Sequence, residues 1–205
     1  MNETIISSKE TTKNLVFIFH GYGANKEDMW REAEAFSTVL PYAEIHVPDG
    51  FEQCGWAGGY RWFPLENNDV DQWGKCLQEA ESKIIGYIDQ IKDEKNLQYS
   101  DIVLAGFSQG AMVALSLGVF YGMKAAISFS GLILSPERYL GKKSSTKVLL
   151  THGYMDEVLH RDVLEMTKSA MQKSGIFTES ALDENIGHSI SDYLLNNAMD
   201  FLKSL

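Results

Sequence analysis

Apolar positions along this chain fall into two alternating patterns. Short runs bounded by glycine or polar turns read as strands at Leu15–Phe19, Glu44–Val47, Ile102–Gly106, Ala125–Ser130, Lys147–Thr151 and Phe177–Leu182, of which Leu15–Phe19 is continuously apolar. Runs of this length, rich in β-branched residues, predict strands buried on both faces. Between them lie longer stretches with apolar residues three and four apart. Met29, Ala33, Phe36 and Leu40 follow a capping Asn25, and Trp73, Leu77, Ala80, Ile84, Ile88 and Ile91 follow Asp71. The second stripe reads as core packing alone. Further helices are predicted after Ser108, over about His160–Lys173, and from about Ser189, where Ile190, Leu194, Phe201 and Leu205 share a face. With Thr4–Ser7 as a short edge strand, the alternation predicts a mostly parallel sheet of about seven strands, flanked by helices on both faces.

The stretch from Pro48 to Asp71 breaks the rhythm. It holds Phe51, Trp56, Tyr60, Trp62 and Phe63 among glycines and Pro64. A long irregular segment in a compact domain is usually functional, and so many aromatic residues argue against disorder. Trp62 and Phe63 are expected to wall a substrate site; a satellite hydrophobic cluster beneath the loop is the competing reading. If the loop is partly exposed, it would also favour a homodimer.

The strand Ile102–Ala105 runs into the Ala/Leu-rich helix through Gly106-Phe107-Ser108-Gln109-Gly110. A Gly-x-Ser-x-Gly between strand and helix is the nucleophile elbow. The turn is so tight that a side chain at either glycine would strike the backbone. It lifts Ser108 clear of the sheet and aims the Gln109 N–H at whatever the serine attacks. His20-Gly21-Tyr22-Gly23 ends an earlier strand, and the Tyr22 N–H is expected to be the second oxyanion donor. A neutral hydroxyl needs a base. Of five histidines, His188 lies after the last strand, where the order serine–acid–histidine requires it. His46 reads as structural, His20 and His152 as loop-orienting, and His160 as exposed. Asp156 follows the penultimate strand and is the expected acid, with Asp183 in reserve; Asp69, Asp71 and Asp101 read as caps or turn residues.

These motifs carry a resemblance. His20-Gly-Tyr-Gly, Gly106-Phe-Ser-Gln-Gly-Ala-Met, the Phe129-Ser-Gly turn, His152-Gly-x-x-Asp156-x-Val158 and Gly187-His188 resemble the phospholipase/carboxylesterase family, from Leu15 to the last helix. That family includes acyl-protein thioesterases and small bacterial carboxylesterases. The resemblance implies an α/β-hydrolase fold with no cap domain, a Ser108–Asp156–His188 triad, and cleavage of carboxylic esters or thioesters without a cofactor. Arg61-Trp62-Phe63 is similar to the family's Trp-Phe segment beside the acyl site. The chain departs from the pattern at Glu157-Val158-Leu159-His160 and around Gly58–Asn68, where the acyl chain would bind, so chain-length preference stays open. The short stretch Gly131–Thr146 is too small for a cap, which leaves the site open, edged by Leu132, Ile133 and Val158.

Composition narrows the alternatives. The 205 residues are 44% hydrophobic, with a net charge of −10 and two cysteines, suiting one domain over 1–205. The acidic balance argues against nucleic acid and anionic membrane surfaces as partners. No run is long enough to span a membrane and no signal-peptide pattern opens the chain. The cysteines have no metal-ligand spacing, so no metal is expected, and reduced thiols point to the cytoplasm. A serine hydrolase acting on a small-molecule or lipid-like ester is the reading that results. A long-chain thioesterase or lysophospholipase, an amidase, and a non-catalytic ligand-binding protein of the same fold are the alternatives.

Overall fold

The computed structural model describes residues 2–54, 58–65, 69–141 and 144–205. A seven-stranded sheet has the order β1 (Glu3–Ile6), β3 (Ala43–Pro48), β2 (Asn14–Phe19), β6 (Ile102–Phe107), β7 (Ala125–Phe129), β8 (Lys147–Gly153) and β9 (Thr178–Asp183). All pairings are parallel except that of β1 with β3. All seven predicted strands are present, within two residues at each end, with β1 and β9 at the edges.

Side-chain alternation divides the core. Leu15, Phe17 and Phe19 of β2 face α2 (Val70–Glu94) and α3 (Gln109–Tyr121), while Val16 and Ile18 face α1 (Trp30–Val39) and α5 (Asp192–Lys203). A third cluster packs α4 (Asp162–Lys173) against β7, β8 and the other side of α3. Helix α3 is buried nearly all round, as its uniformly small and apolar sequence requires. Asn25 caps a 3₁₀ turn that leads into α1, and Asp69 caps α2 by accepting the Asp71 and Gln72 N–H groups.

Chain direction matters most at β2. From it the chain proceeds to β3 on one side, and later to β6 on the other, so the order switches between β2 and β6. Ligands of open parallel sheets bind outside the carboxyl ends of strands at such a switch. Phe19 is paired with Gly106 there, which sets the His20–Gly23 loop beside the elbow.

The stretch from Pro48 to Asp71 is more regular than its composition suggests. It contains a hairpin of β4 (Glu52–Cys54) and β5 (Gly59–Arg61). The hairpin is tied to the His20–Gly23 loop by Gly23 N–H donating to Tyr60 O (2.9 Å) and Tyr60 N–H to Ala24 O (2.8 Å). A Cβ on Gly59 would fall 1.8 Å from the Gly23 carbonyl oxygen. Trp56 lies outside the described residues. Trp62 and Phe63 are 2% and 1% exposed, in the core cluster of α2 and α3. No helix among the described residues is long and apolar enough to cross a membrane.

Candidate active site

Ser108 stands at the end of β6 with φ +53°, a left-handed conformation that costs a non-glycine residue energy and persists where surrounding structure enforces it. Three contacts enforce it. Its N–H donates to Phe129 O (2.8 Å), and its carbonyl accepts from Ala111 and Met112 N–H at the start of α3. The glycines behave as the sequence predicts. A Cβ on Gly106 would lie 2.3 Å from the Gly110 carbonyl oxygen, and one on Gly110 would lie 2.1 Å from Phe19 O. Gln109 occupies the first helical position of α3, where the backbone N–H has no partner within the helix. On the opposite side, a Cβ on Gly21 would sit 3.5 Å from Ser108 Cβ, so the loop carrying the Tyr22 N–H packs directly on the elbow.

Asp156 and His188 meet across two loops. His188 Nδ1 is 2.7 Å from Asp156 Oδ2. The loops are held in register by Tyr154 N–H donating to Asp183 O (2.8 Å) and Met155 N–H to Ile186 O (3.0 Å). Gly153 makes the approach feasible, since a Cβ there would lie 2.2 Å from Gly187 O. The Asp156 carboxylate is buried, and its Oδ1 accepts the Val158 and Leu159 N–H groups at 2.9 and 2.8 Å. With that oxygen committed, Oδ2 is left for the imidazole. Such an anion fixes His188 with its proton on Nδ1 and leaves Nε2 free as a base. Asp183 is employed elsewhere. It accepts from the Ser191 hydroxyl and the Asn185 N–H, which hold its carboxyl below the usual range.

The remaining histidines are held by other contacts. His20 accepts the Gly50 N–H at Nε2 (2.9 Å) and lies 2.7 Å from Gly21 O through Nδ1. The proton is thereby assigned to Nδ1, and burial pushes the imidazole pKa down. His152 donates from Nε2 to Leu159 O (2.8 Å), and the same nitrogen is 3.3 Å from Asp156 Oδ2. Burial lowers its pKa as well, and the ring lies behind the Asp156 carboxylate. His46 bridges Glu3 and Glu44, and His160 is exposed.

Ser108 and His188 open into one cleft of about 450 Å³, whose apolar lining is Leu65, Trp73, Met112, Val158 and Leu159, with Phe107 beside the imidazole. Val158, 67% exposed, is at the cleft as expected. The other expected wall residues are not. Trp62 and Phe63 are pinned behind the site: Gln109 Oε1 accepts the Trp62 N–H (3.0 Å), its Nε2 donates to Phe63 O (2.6 Å), and the Trp62 indole donates to His20 O (2.9 Å). The segment thus braces the elbow and the His20–Gly23 loop. Ile133 is core beside α4, with its N–H held by the Thr167 hydroxyl, and Leu132 packs against the main cluster; neither lines the cleft. Trp73, read from its spacing as core only, reaches the cleft from the first turn of α2. Its one sequence signal is its place at the very start of the apolar stripe, near the strand ends.

A larger groove of about 660 Å³ lies between the 3₁₀ turn at Pro136–Tyr139 and α4. It is lined by none of these groups. Among the described residues no cluster of three or more His, Cys, Asp or Glu side chains is placed to share a metal ion.

The model of the phospholipase/carboxylesterase family matches residues 1–205. The chain belongs to that family. Among curated members, esterase YpfH of Escherichia coli (strain K12) is 25% identical over 96% of this chain and 85% of its own length. Acyl-protein thioesterase 1 of Debaryomyces hansenii is 24% identical over 97% and 94%. The crystal structure of esterase PE8 superposes with a TM-score of 0.90 at 30% identity, covering 98% of this chain and 97% of that one. The Bacillus cereus carboxylesterase shares the fold, with a TM-score of 0.83 at 19% identity over 100% and 94%. The phospholipase/carboxylesterase assignment makes the chain an α/β hydrolase of the carboxylesterase and thioesterase type.

Proposed function

We propose that the chain hydrolyses short- to medium-chain carboxylic esters through an acyl-enzyme on Ser108. The observation that carries the reading is the 2.7 Å contact of His188 Nδ1 with the buried Asp156, in a cleft that Ser108 and His188 share. His188 Nε2 takes the Ser108 proton as Oγ bonds to the acyl carbon. The carbonyl π electrons move onto oxygen, which the Tyr22 and Gln109 N–H groups receive at the N-terminus of α3. Collapse of the tetrahedral adduct breaks the bond to the leaving oxygen or sulfur, which takes the proton from His188. Water then attacks the acyl-serine by the same path, and Ser108 regains its hydrogen. Nothing in these steps calls for a cofactor.

Leu65, Trp73, Met112, Val158 and Leu159 offer the acyl group an apolar wall, with no cap over it among the described residues. Thioesters fit the same chemistry, as the names of the fungal relatives suggest. In the same reading the chain is a single domain working in the cytoplasm, in keeping with the free thiols of Cys54 and Cys76. Hydrolysis of p-nitrophenyl esters from acetyl to palmitoyl, with Ser108→Ala beside the native protein, tests the proposal. Turnover favouring acetyl to octanoyl and lost in the variant is expected. Turnover that survives Ser108→Ala would overturn the mechanism, and a rise toward palmitoyl would move the substrate to long-chain acyl groups.

A further inference from the structure

A second cavity of about 570 Å³ adjoins the cleft and shares with it Gly21, Tyr22, Ala24, Phe107 and His188. Its own walls differ in kind. They include Asp28, Arg31, Glu32 and Ser189, and Ser108 is not among them. Resting on the serine-esterase reading, we infer that this cavity seats the leaving group, and that it selects neutral or cationic alcohols and thiols over anionic ones.

The assignment follows from where the two halves of an ester must go. The acyl carbon bonds to Ser108, so the acyl chain takes the apolar cleft that Ser108 lines. The leaving atom must stand within hydrogen-bond reach of His188, which protonates it. The imidazole borders both cavities, and the residues that follow it, Ser189 and Ile190, belong to the second alone.

The charge selectivity follows from how the ionic groups are used. Arg31 is the cation of this wall, yet its head is engaged on three sides. Nε lies 3.1 Å and Nη2 3.0 Å from Glu32 Oε1, Nη2 donates to Ile190 O (2.7 Å), and Nη1 is 3.4 Å from Asp192 Oδ1. The Glu32 side chain is only 4% exposed, so water screens it weakly. Asp28 accepts the Asn25 N–H within a capping box and adds a further negative charge. Two lining carboxylates, Asp28 and Glu32, against one guanidinium leave the cavity net negative. A phosphate or carboxylate arriving there would meet repulsion and find the Arg31 Nε and Nη2 donors engaged by Glu32 and Ile190 O.

The test holds the acyl group constant and varies leaving-group charge. Butyrate esters of choline, of its uncharged isostere 3,3-dimethylbutanol, and of a sulfonate-bearing alcohol of similar length are compared by kcat/KM. At low salt the order choline > neutral > sulfonate is expected, with steps of about three- to tenfold, the scale of one partly screened charge contact. In about 0.5 M salt the steps should shrink, because screening then acts within a few ångströms. Glu32→Gln keeps an acceptor for Arg31 and removes the charge, and should compress the order by about threefold or more. Met112→Ala enlarges the other cavity and should shift the acyl-length optimum without changing the charge order. A flat or inverted charge order in an active protein overturns the inference. So does a Glu32→Gln variant that alters acyl-length preference and leaves charge order intact. Failure to turn over any of the three esters removes the serine-esterase reading, and this inference with it.

Discussion

Replacing Asp156 by asparagine changes one oxygen to an amide nitrogen and leaves the side-chain shape intact, so its effect can be worked out from the hydrogen bonds. Oδ1 accepts two backbone N–H groups, from Val158 and Leu159. An Asn NH₂ turned toward them would set donor against donor twice. The amide oxygen is therefore held on that side, and the NH₂ is forced to face His188 Nδ1, 2.7 Å away in the native protein. It would also face the Nε2–H of His152, 3.3 Å from the same oxygen. As a donor, the amide requires an acceptor at His188 Nδ1, which moves the imidazole proton to Nε2. The base that Ser108 needs is then blocked by its own proton. In Ser-His-Asp triads this tautomer exchange costs about 10⁴ in kcat, or roughly 5–6 kcal/mol of transition-state stabilisation. The assay is kcat on p-nitrophenyl butyrate for Asp156→Asn and, in parallel, Asp183→Asn, with urea unfolding to show that both remain folded. Asp183 is bonded to Ser191 and Asn185, and its variant should keep kcat within about tenfold of native. A folded Asp156→Asn with native turnover, or a greater loss from Asp183→Asn, would refute the reasoning.

Three further outcomes follow from particular contacts. Gly153→Ala would put a methyl 2.2 Å from Gly187 O and drive the acid and histidine loops apart; since a misplacement of about 1 Å can cost ~10² in rate, kcat should fall about 100-fold, and near-native kcat would refute this. Gln109→Ala strands the buried Trp62 N–H and Phe63 C=O, each worth about 1–3 kcal/mol when unsatisfied, so urea unfolding should show a loss of about 2–5 kcal/mol, and a loss below about 1 would show that the brace is unimportant. Burial lowers the pKa of His20 and His152 below their ordinary value. The unfolded chain therefore binds protons first, and their contribution, fully present above about pH 6.5, is lost as pH falls below it toward the folded-state values. Urea midpoints should drop between neutral pH and pH 5; a level or rising midpoint would contradict the buried neutral state of both rings.

What was legible in the sequence was whatever short-range chemistry dictates. The elbow is local: glycines on either side of Ser108 are required by contacts within a few residues of chain, or with the strand directly beside it. Strand and helix periods are also local, as is the order Ser108, Asp156, His188. The mistaken expectations share a cause of another kind. Trp62 and Phe63 are read as walls of the substrate site because they sit among turn residues, yet three hydrogen bonds with Gln109 and His20, across more than forty residues of chain, draw them inward. Trp73 is read as core because its spacing continues a buried stripe. Spacing tells which face of a helix is apolar; it does not tell where along that face the sheet ends and the cleft begins.

The sequence by itself determined the alternation of buried strands and helices and the strained serine turn, because each depends on residue type and near-neighbour geometry, and it offered Ser108, Asp156 and His188 as the candidate reacting groups. Tertiary structure set Asp156 against His188 and Asp183 against Ser191, and it alone decided which aromatic residue meets the cleft and that Arg31 of α1 is engaged beside the imidazole loop. Those are matters of registry between segments far apart in the chain. They are set when the strand order reverses between β2 and β6 and brings the loops of β2, β6, β8 and β9 to one edge of the sheet, where burial fixes each hydrogen-bond partner.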